Sequence, residues 1–210
     1  MKALFTEVWI KLKTRWFFLC AGLTVLVLFM TNDRMSDNLT LLSLPLIAAL
    51  PASASLRREA ASGSLRTSLF RLGYGACLFC KTGALLLVTA LSFLLGLGLW
   101  ALLYRLTVSP FLPVSLAQTA GRLLFCLVFS LVGSFGALLI RDSISAYVLP
   151  VTLTFALSMI RSRFLVDARF MDPSWWISGE KEALFFLAGM LIIMTGAYSV
   201  YVSRLLKNNV

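Results

Sequence analysis

Residues 82–104 read TGALLLVTALSFLLGLGLWALLY, a run of 23 positions without a charge between Lys81 and Arg105. Wound as an α-helix it is about 34 Å long, enough to cross the roughly 30 Å hydrocarbon core of a bilayer. The whole chain has the same character. Its 210 residues are 60% hydrophobic and 13% charged, where a soluble domain carries about 25% charged residues. The surplus of Leu, Phe, Val and Ala must face something other than water, so the chain reads as an all-α integral membrane protein.

Working outward from 82–104, five further apolar runs qualify as spans: 16–31, 39–56, 123–140, 144–160 and 183–203. The expectation is therefore a single transmembrane domain of six helices. Residues 1–15 precede the first span. They place Leu4, Phe5, Val8, Trp9 and Leu12 on one helical face and Lys2, Glu7, Lys11 and Lys13 on the other. Such a helix lies in the membrane interface rather than across it. MKALFTEVWIKLKTRW lacks the small-residue cleavage site of a secretory signal, so the first span is expected to be retained.

Basic residues give the orientation. With the N-terminus inside, Lys2, Lys11, Lys13, Arg15, Arg57, Arg58, Arg66, Arg71, Lys81, Arg141, Arg204 and Lys207 fall on the cytoplasmic side. Arg34, Arg105, Arg122, Arg161, Arg163, Arg169 and Lys181 fall outside. The bias puts both termini in the cytoplasm. It also accounts for the net charge of +10 by topology and anionic lipid, leaving no need for a nucleic-acid partner.

Several chemistries lack their residues. There is no histidine, the usual ligand of haem-binding bundles and membrane metalloenzymes. There is no GxxxxGK[ST] phosphate loop, no GxSxG elbow and no acid pair inside a span. The chain is not expected to be an enzyme or to hold a metal or cofactor. The four cysteines lie in or beside apolar runs. Cys77 and Cys80 have the spacing of a redox or metal pair, but without a second pair or a histidine they read as small buried thiols.

Three segments carry more local pattern. Pro45, Pro51 and Pro150 fall inside or at the end of spans, where each should bend or open a helix. Gly96 and Gly98, and the cluster Gly133, Ser134, Gly136, Ala137, permit close helix approach. Residues 161–183 are too polar to cross the bilayer yet carry Phe164, Phe170, Trp175 and Trp176. They read as a re-entrant or interfacial segment before the last span, broken near Pro173 and Gly179, or as a loop with an aromatic anchor.

The longest cytoplasmic loop, 57–81, is the one strongly charged stretch. Leu65, Leu69 and Leu72 are spaced i, i+4, i+7, and Gly63-Ser64 supplies a turn and an N-cap, so a short amphipathic helix is expected under the membrane. Glu59, Gly63, Ser64, Leu65, Leu69 and Lys81, taken with the layout, resemble the permease subunits of ABC-2 type transporters. In that family an acidic residue, Gly-Thr or Gly-Ser, Leu and an apolar run precede a GK-like start to the third span. Here Arg66 stands where the family often has an acid, no Pro follows Leu69, and Cys80 replaces the Gly before the lysine.

The resemblance implies a coupling helix whose Glu59, Gly63, Ser64, Leu65, Arg66, Leu69, Arg71 and Lys81 contact a separate cytosolic ABC ATPase. That partner would bind the ATP and Mg. It further implies a second permease copy or homologue, a bacterial plasma-membrane location, and export of a small amphipathic cargo, peptide or lipid-like. The residues alone also admit a membrane scaffold or assembly subunit, or an ATP-independent carrier or channel.

Overall fold

The computed structural model describes residues 2–30, 41–50, 73–108, 115–139, 143–164 and 169–208. All regular structure among them is helical: α1 (Lys2–Leu12), α2 (Arg15–Met30), α3 (Leu41–Leu50), α4 (Tyr74–Thr107), α5 (Leu116–Leu139), α6 (Ser143–Phe164), α7 (Pro173–Trp176) and α8 (Lys181–Asn208), with a 3-10 turn at Arg169–Met171. Three helices are long and apolar enough to cross a membrane, over Gly75–Thr107, Leu116–Ala137 and Lys181–Arg204. These make the chain a membrane protein. α1 and α2 qualify only as a pair bent by 64°, while α3 and Tyr147–Ile160 of α6 are shorter apolar helices.

α4 is the spine. It starts at Tyr74, inside the stretch expected as loop and eight residues before the expected span. Gly73, at φ 72° and ψ 163°, ends the preceding chain direction, and nothing from Tyr74 onward breaks a helix. At 34 residues α4 is about 50 Å long, well beyond the hydrocarbon thickness.

α2 packs along α4 where Gly96 removes a side chain. A Cβ there would stand 2.7 Å from Thr24 Cβ and 2.8 Å from the Ala21 carbonyl oxygen. Gly98, the other half of the expected small-residue pair, has nothing within 4 Å of its would-be Cβ. It faces away and does not serve this contact. Further along, Leu28 of α2 is buried with Trp100 and Tyr104, whose rings lie 5.3 Å apart.

α5 runs antiparallel beside α4. Its far part packs near the start of α4, with Leu131 and Phe135 clustered around Leu85 and with Tyr198 of α8. Its near part packs further along, with Phe125 and Phe129 in one cluster with Phe93, Leu44 and Leu187. Gly133, Ser134, Gly136 and Ala137 are all buried on α5. α8 is peripheral. Ala183, Leu187 and Tyr198 are buried, while Phe185, Ile192, Ile193 and Val200 are exposed on its other side.

Several hydroxyls inside these helices find partners on their own helix, although Thr82 Oγ1 is buried without one. Thr24 donates to the Cys20 carbonyl (2.8 Å), Thr89 to Leu85 (3.0 Å), Ser134 to Ser130 (2.7 Å), Thr154 to Pro150 (2.8 Å) and Thr195 to Leu191 (2.7 Å). In an apolar medium an unpaired hydroxyl is costly, and this back-bonding removes the cost without involving a neighbouring helix. The four cysteines are buried.

Candidate functional site

Of the eight residues assigned to ATPase contact, Glu59, Gly63, Ser64, Leu65, Arg66, Leu69 and Arg71 lie outside the described residues. Lys81 is described. It sits in α4 two turns after Tyr74, and its Nζ lies 2.7 Å from Glu7 Oε1 of α1, with side-chain exposures of 9% and 19%. It is therefore no free anchor at a membrane edge but one half of a largely buried ion pair between two helices.

That pair shows which side of α1 meets the protein. Glu7 and Lys11, placed on the polar face, are turned toward the protein: Glu7 is half-buried and Lys11 is 6% exposed. Leu4 joins them, since a Cβ on Gly83 of α4 would stand 3.3 Å from Leu4 Cδ1. Phe5 and Trp9, from the expected apolar face, are exposed, as is Ile10. The protein-facing side is set by the charged partner on α4. Glu7 can satisfy Lys81 only if the face bearing Leu4, Glu7, Val8 and Lys11 turns inward.

α1 ends in an elbow. Thr14 Oγ1 donates to the Lys11 carbonyl at 2.6 Å, and the Thr14 and Phe17 amides bond back to Lys11 and Thr14. The chain then turns by 64° into α2. Trp9, Leu12, Lys13, Phe17, Phe18, Leu91, Leu94 and Leu95 line an open apolar groove of about 900 Å³ in this elbow. Lys13 Nζ lies 5.1 Å from the centre of the Trp9 ring, in cation–π range.

The opposite end of the bundle is built on α5 and the segment before α8. Ser115 and Gln118 form a reciprocal cap. Gln118 N–H donates to Ser115 Oγ and Ser115 N–H to Gln118 Oε1, each at 3.1 Å. α5 therefore begins at Leu116, well before the expected span start at 123, and Arg122 lies inside a helix rather than in an outer loop. Asp172 caps α7, accepting from Ser174 N–H (3.0 Å) and Ser174 Oγ–H (2.6 Å), with Pro173 in the first turn.

This segment folds down onto α5. Trp176 is 3% exposed, donates from Nε1 to the Phe170 carbonyl at 2.8 Å, and stacks near Phe125, Phe129 and Phe186 at 6.0, 6.4 and 5.8 Å. Two glycines permit the approach. A Cβ on Gly121 would stand 3.2 Å from the Trp176 carbonyl oxygen. One on Gly179, at φ 83°, would stand 2.6 Å from Gln118 N. Trp175 Nε1 donates to Glu180 Oε2 at 2.7 Å and closes the turn into α8.

Beneath this cap Arg122 is 3% exposed, and its Nε and Nη1 have no hydrogen-bond partner. A guanidinium has five donors and cannot shed its charge to escape burial. Leaving such a group buried and unpaired costs about 3–5 kcal/mol, so its retention points to a task other than packing. Sequence reading missed it because the span was started at 123, seven residues after the helix begins. The S-x-x-Q box at 115–118 was the signal that could have moved the boundary.

No known protein family matches this chain, and none of the characterised proteins or solved structures compared with it is detectably similar.

Proposed function

We propose that the chain is the membrane-spanning permease subunit of an ABC-2 type exporter. It works with a cytosolic ABC ATPase that binds the ATP and Mg, and with a second permease copy or homologue, in a bacterial plasma membrane with both termini in the cytoplasm. In this reading six crossings are made by α2, α3 with its flanking residues, α4, α5, α6 and α8, α1 lies in the interface, and 169–180 dips toward the core as an outer cap. The cargo is a small amphipathic molecule.

The observation that carries this reading is the Lys81–Glu7 pair. The segment 57–72, where the family resemblance places the coupling helix, immediately precedes Gly73 and α4 in sequence. Force applied to it reaches α4 at Gly73–Lys81 and passes to α1 through the ion pair and the Leu4–Gly83 contact. A chain without a nucleotide site must receive work by contact, and a clamped pair of helices delivers it to two elements at once.

The test is to purify the tagged chain from its own membranes in mild detergent and assay ATP hydrolysis in the eluate. The expected result is a co-purifying ATPase whose amount falls at least several-fold in an Arg66→Glu/Arg71→Glu double variant. Wild-type protein that brings down no ATPase returns the scaffold or ATP-independent carrier reading and ends this one.

A further inference from the structure

We infer that Arg122 is the receptor for the oxyanion of an amphiphile, a phosphate or carboxylate joined to an apolar tail, at the α7 end of the bundle. The inference does not depend on the transport reading. Among the described residues Thr24, Thr89, Ser134, Thr154 and Thr195 satisfy their hydroxyls on their own helices, and the buried polar atoms left without a partner outside Arg122, Thr82 Oγ1 and Trp100 Nε1, are neutral. Arg122 is the exception of full charge: 3% exposed, with Nε and Nη1 unpartnered. Each leaves an N–H of the guanidinium unfilled, on a group that binds carboxylate and phosphate through charge-assisted hydrogen bonds.

The surroundings define the rest of the ligand. Arg122 lies six residues into α5, about 9 Å from its first residue. One turn further in, Phe125, Cys126 and Phe129 are fully buried in the apolar core, so the side chain sits between polar caps and hydrocarbon. Trp176 closes over Phe125 and Phe129, held by Phe170 and by the glycine contacts at 121 and 179.

Two sources share this chemistry, a resident phospholipid and a transported amphiphile, and the experiment separates them. The full chain is purified in dodecyl maltoside and its melting temperature followed on titration with dodecyl phosphate, with inorganic phosphate as the tail-less control. The wild type should be stabilised by dodecyl phosphate and not by inorganic phosphate at equal concentration. Arg122→Met should weaken the dodecyl phosphate response about 10- to 100-fold, the loss expected for charge-assisted hydrogen bonds. It should also melt no lower than wild type without ligand, because it removes an unpaired buried charge. Arg122→Lys, which keeps the charge and loses the fork, should respond in between.

Native mass spectrometry of the same preparations then assigns the source. A phospholipid adduct present in wild type and absent in Arg122→Met identifies the bilayer. No adduct, with the dodecyl phosphate response intact, identifies a transported amphiphile. A wild type indifferent to dodecyl phosphate overturns the proposal, as does an equal response in Arg122→Met. If Arg122→Met fails to fold, the wild-type titration and its Arg122→Lys partner still decide.

Discussion

Two of the buried cations, Lys81 and Arg122, mark the two ends of this bundle, and they are treated in opposite ways. Lys81 has Glu7 of α1 at 2.7 Å. Arg122 is buried more deeply and has no partner on two of its nitrogens. The ends are well separated. Phe93, which clusters with Phe125 and Phe129, lies about 18 Å along α4 from Lys81 by the helical rise. A completed ion pair locks two helices together, whereas an incomplete one leaves a place for something else. The first end is built to hold its parts in fixed relation, the second to accept a visitor.

The largest effect that could break this contrast lies at the paired end. Glu7→Gln keeps the size of the side chain but leaves Lys81 facing a neutral amide in a largely buried site. A loss of about 1.5–3 kcal/mol is expected, from replacing a charge-assisted hydrogen bond with one to a neutral amide, read as a lower melting temperature in detergent. The swap Glu7→Lys/Lys81→Glu should recover much of it. If Glu7→Gln melts with wild type, the pair is an ornament of the surface and the two ends do not differ in kind.

Next in size is the cap over Arg122. Gly179 combines φ 83° with a would-be Cβ 2.6 Å from Gln118 N. Gly179→Ala therefore adds strain and a collision with backbone that cannot step aside, together about 2 kcal/mol. Gly73→Ala isolates the strain alone, since Gly73 also has a positive φ of 72° but nothing within 4 Å of its Cβ position. The melting temperature of Gly179→Ala should fall further than that of Gly73→Ala. Equal losses would mean that the 169–180 segment does not press on α5, and the cap would lose its basis.

Much of this layout was legible in the residues, and what was not has physical reasons. Apolar runs located α4, α5 and α8, because length and hydropathy are local properties. The breaks near Pro173 and Gly179 coincide with the start of α7 and a left-handed turn, because proline and glycine limit or free the backbone wherever they stand. The face of α1 was not legible. A helical wheel weighs each residue against water and lipid, and it cannot know that Lys81, 74 positions on, will need Glu7. Arg122 was misplaced for a related reason. A charge at the edge of an apolar run looks like the end of the run, and only the Ser115–Gln118 cap shows that the helix had already begun.

The smallest predicted effect joins the two ends through the spine. Sequence pattern treats Gly96 and Gly98 as a pair, yet only Gly96 meets α2. Its Cβ would come within 2.7 Å of Thr24 Cβ and 2.8 Å of the Ala21 carbonyl oxygen, while Gly98 faces open space. Gly96→Ala should therefore cost about 1–2 kcal/mol, by prising α2 from α4 at their closest approach. Gly98→Ala should be neutral or stabilise by about 0.5–1 kcal/mol, through the better helix propensity of alanine. The opposite signs of two substitutions two residues apart are read directly from paired melting curves. They also bear on the larger contrast. If α2 is levered off α4, the elbow between α1 and α2 shifts, and the Lys81–Glu7 pair should weaken with it. Gly96→Ala combined with Glu7→Gln should then cost less than the two losses added together, whereas Gly96→Ala combined with Gly179→Ala, at the other end, should be additive.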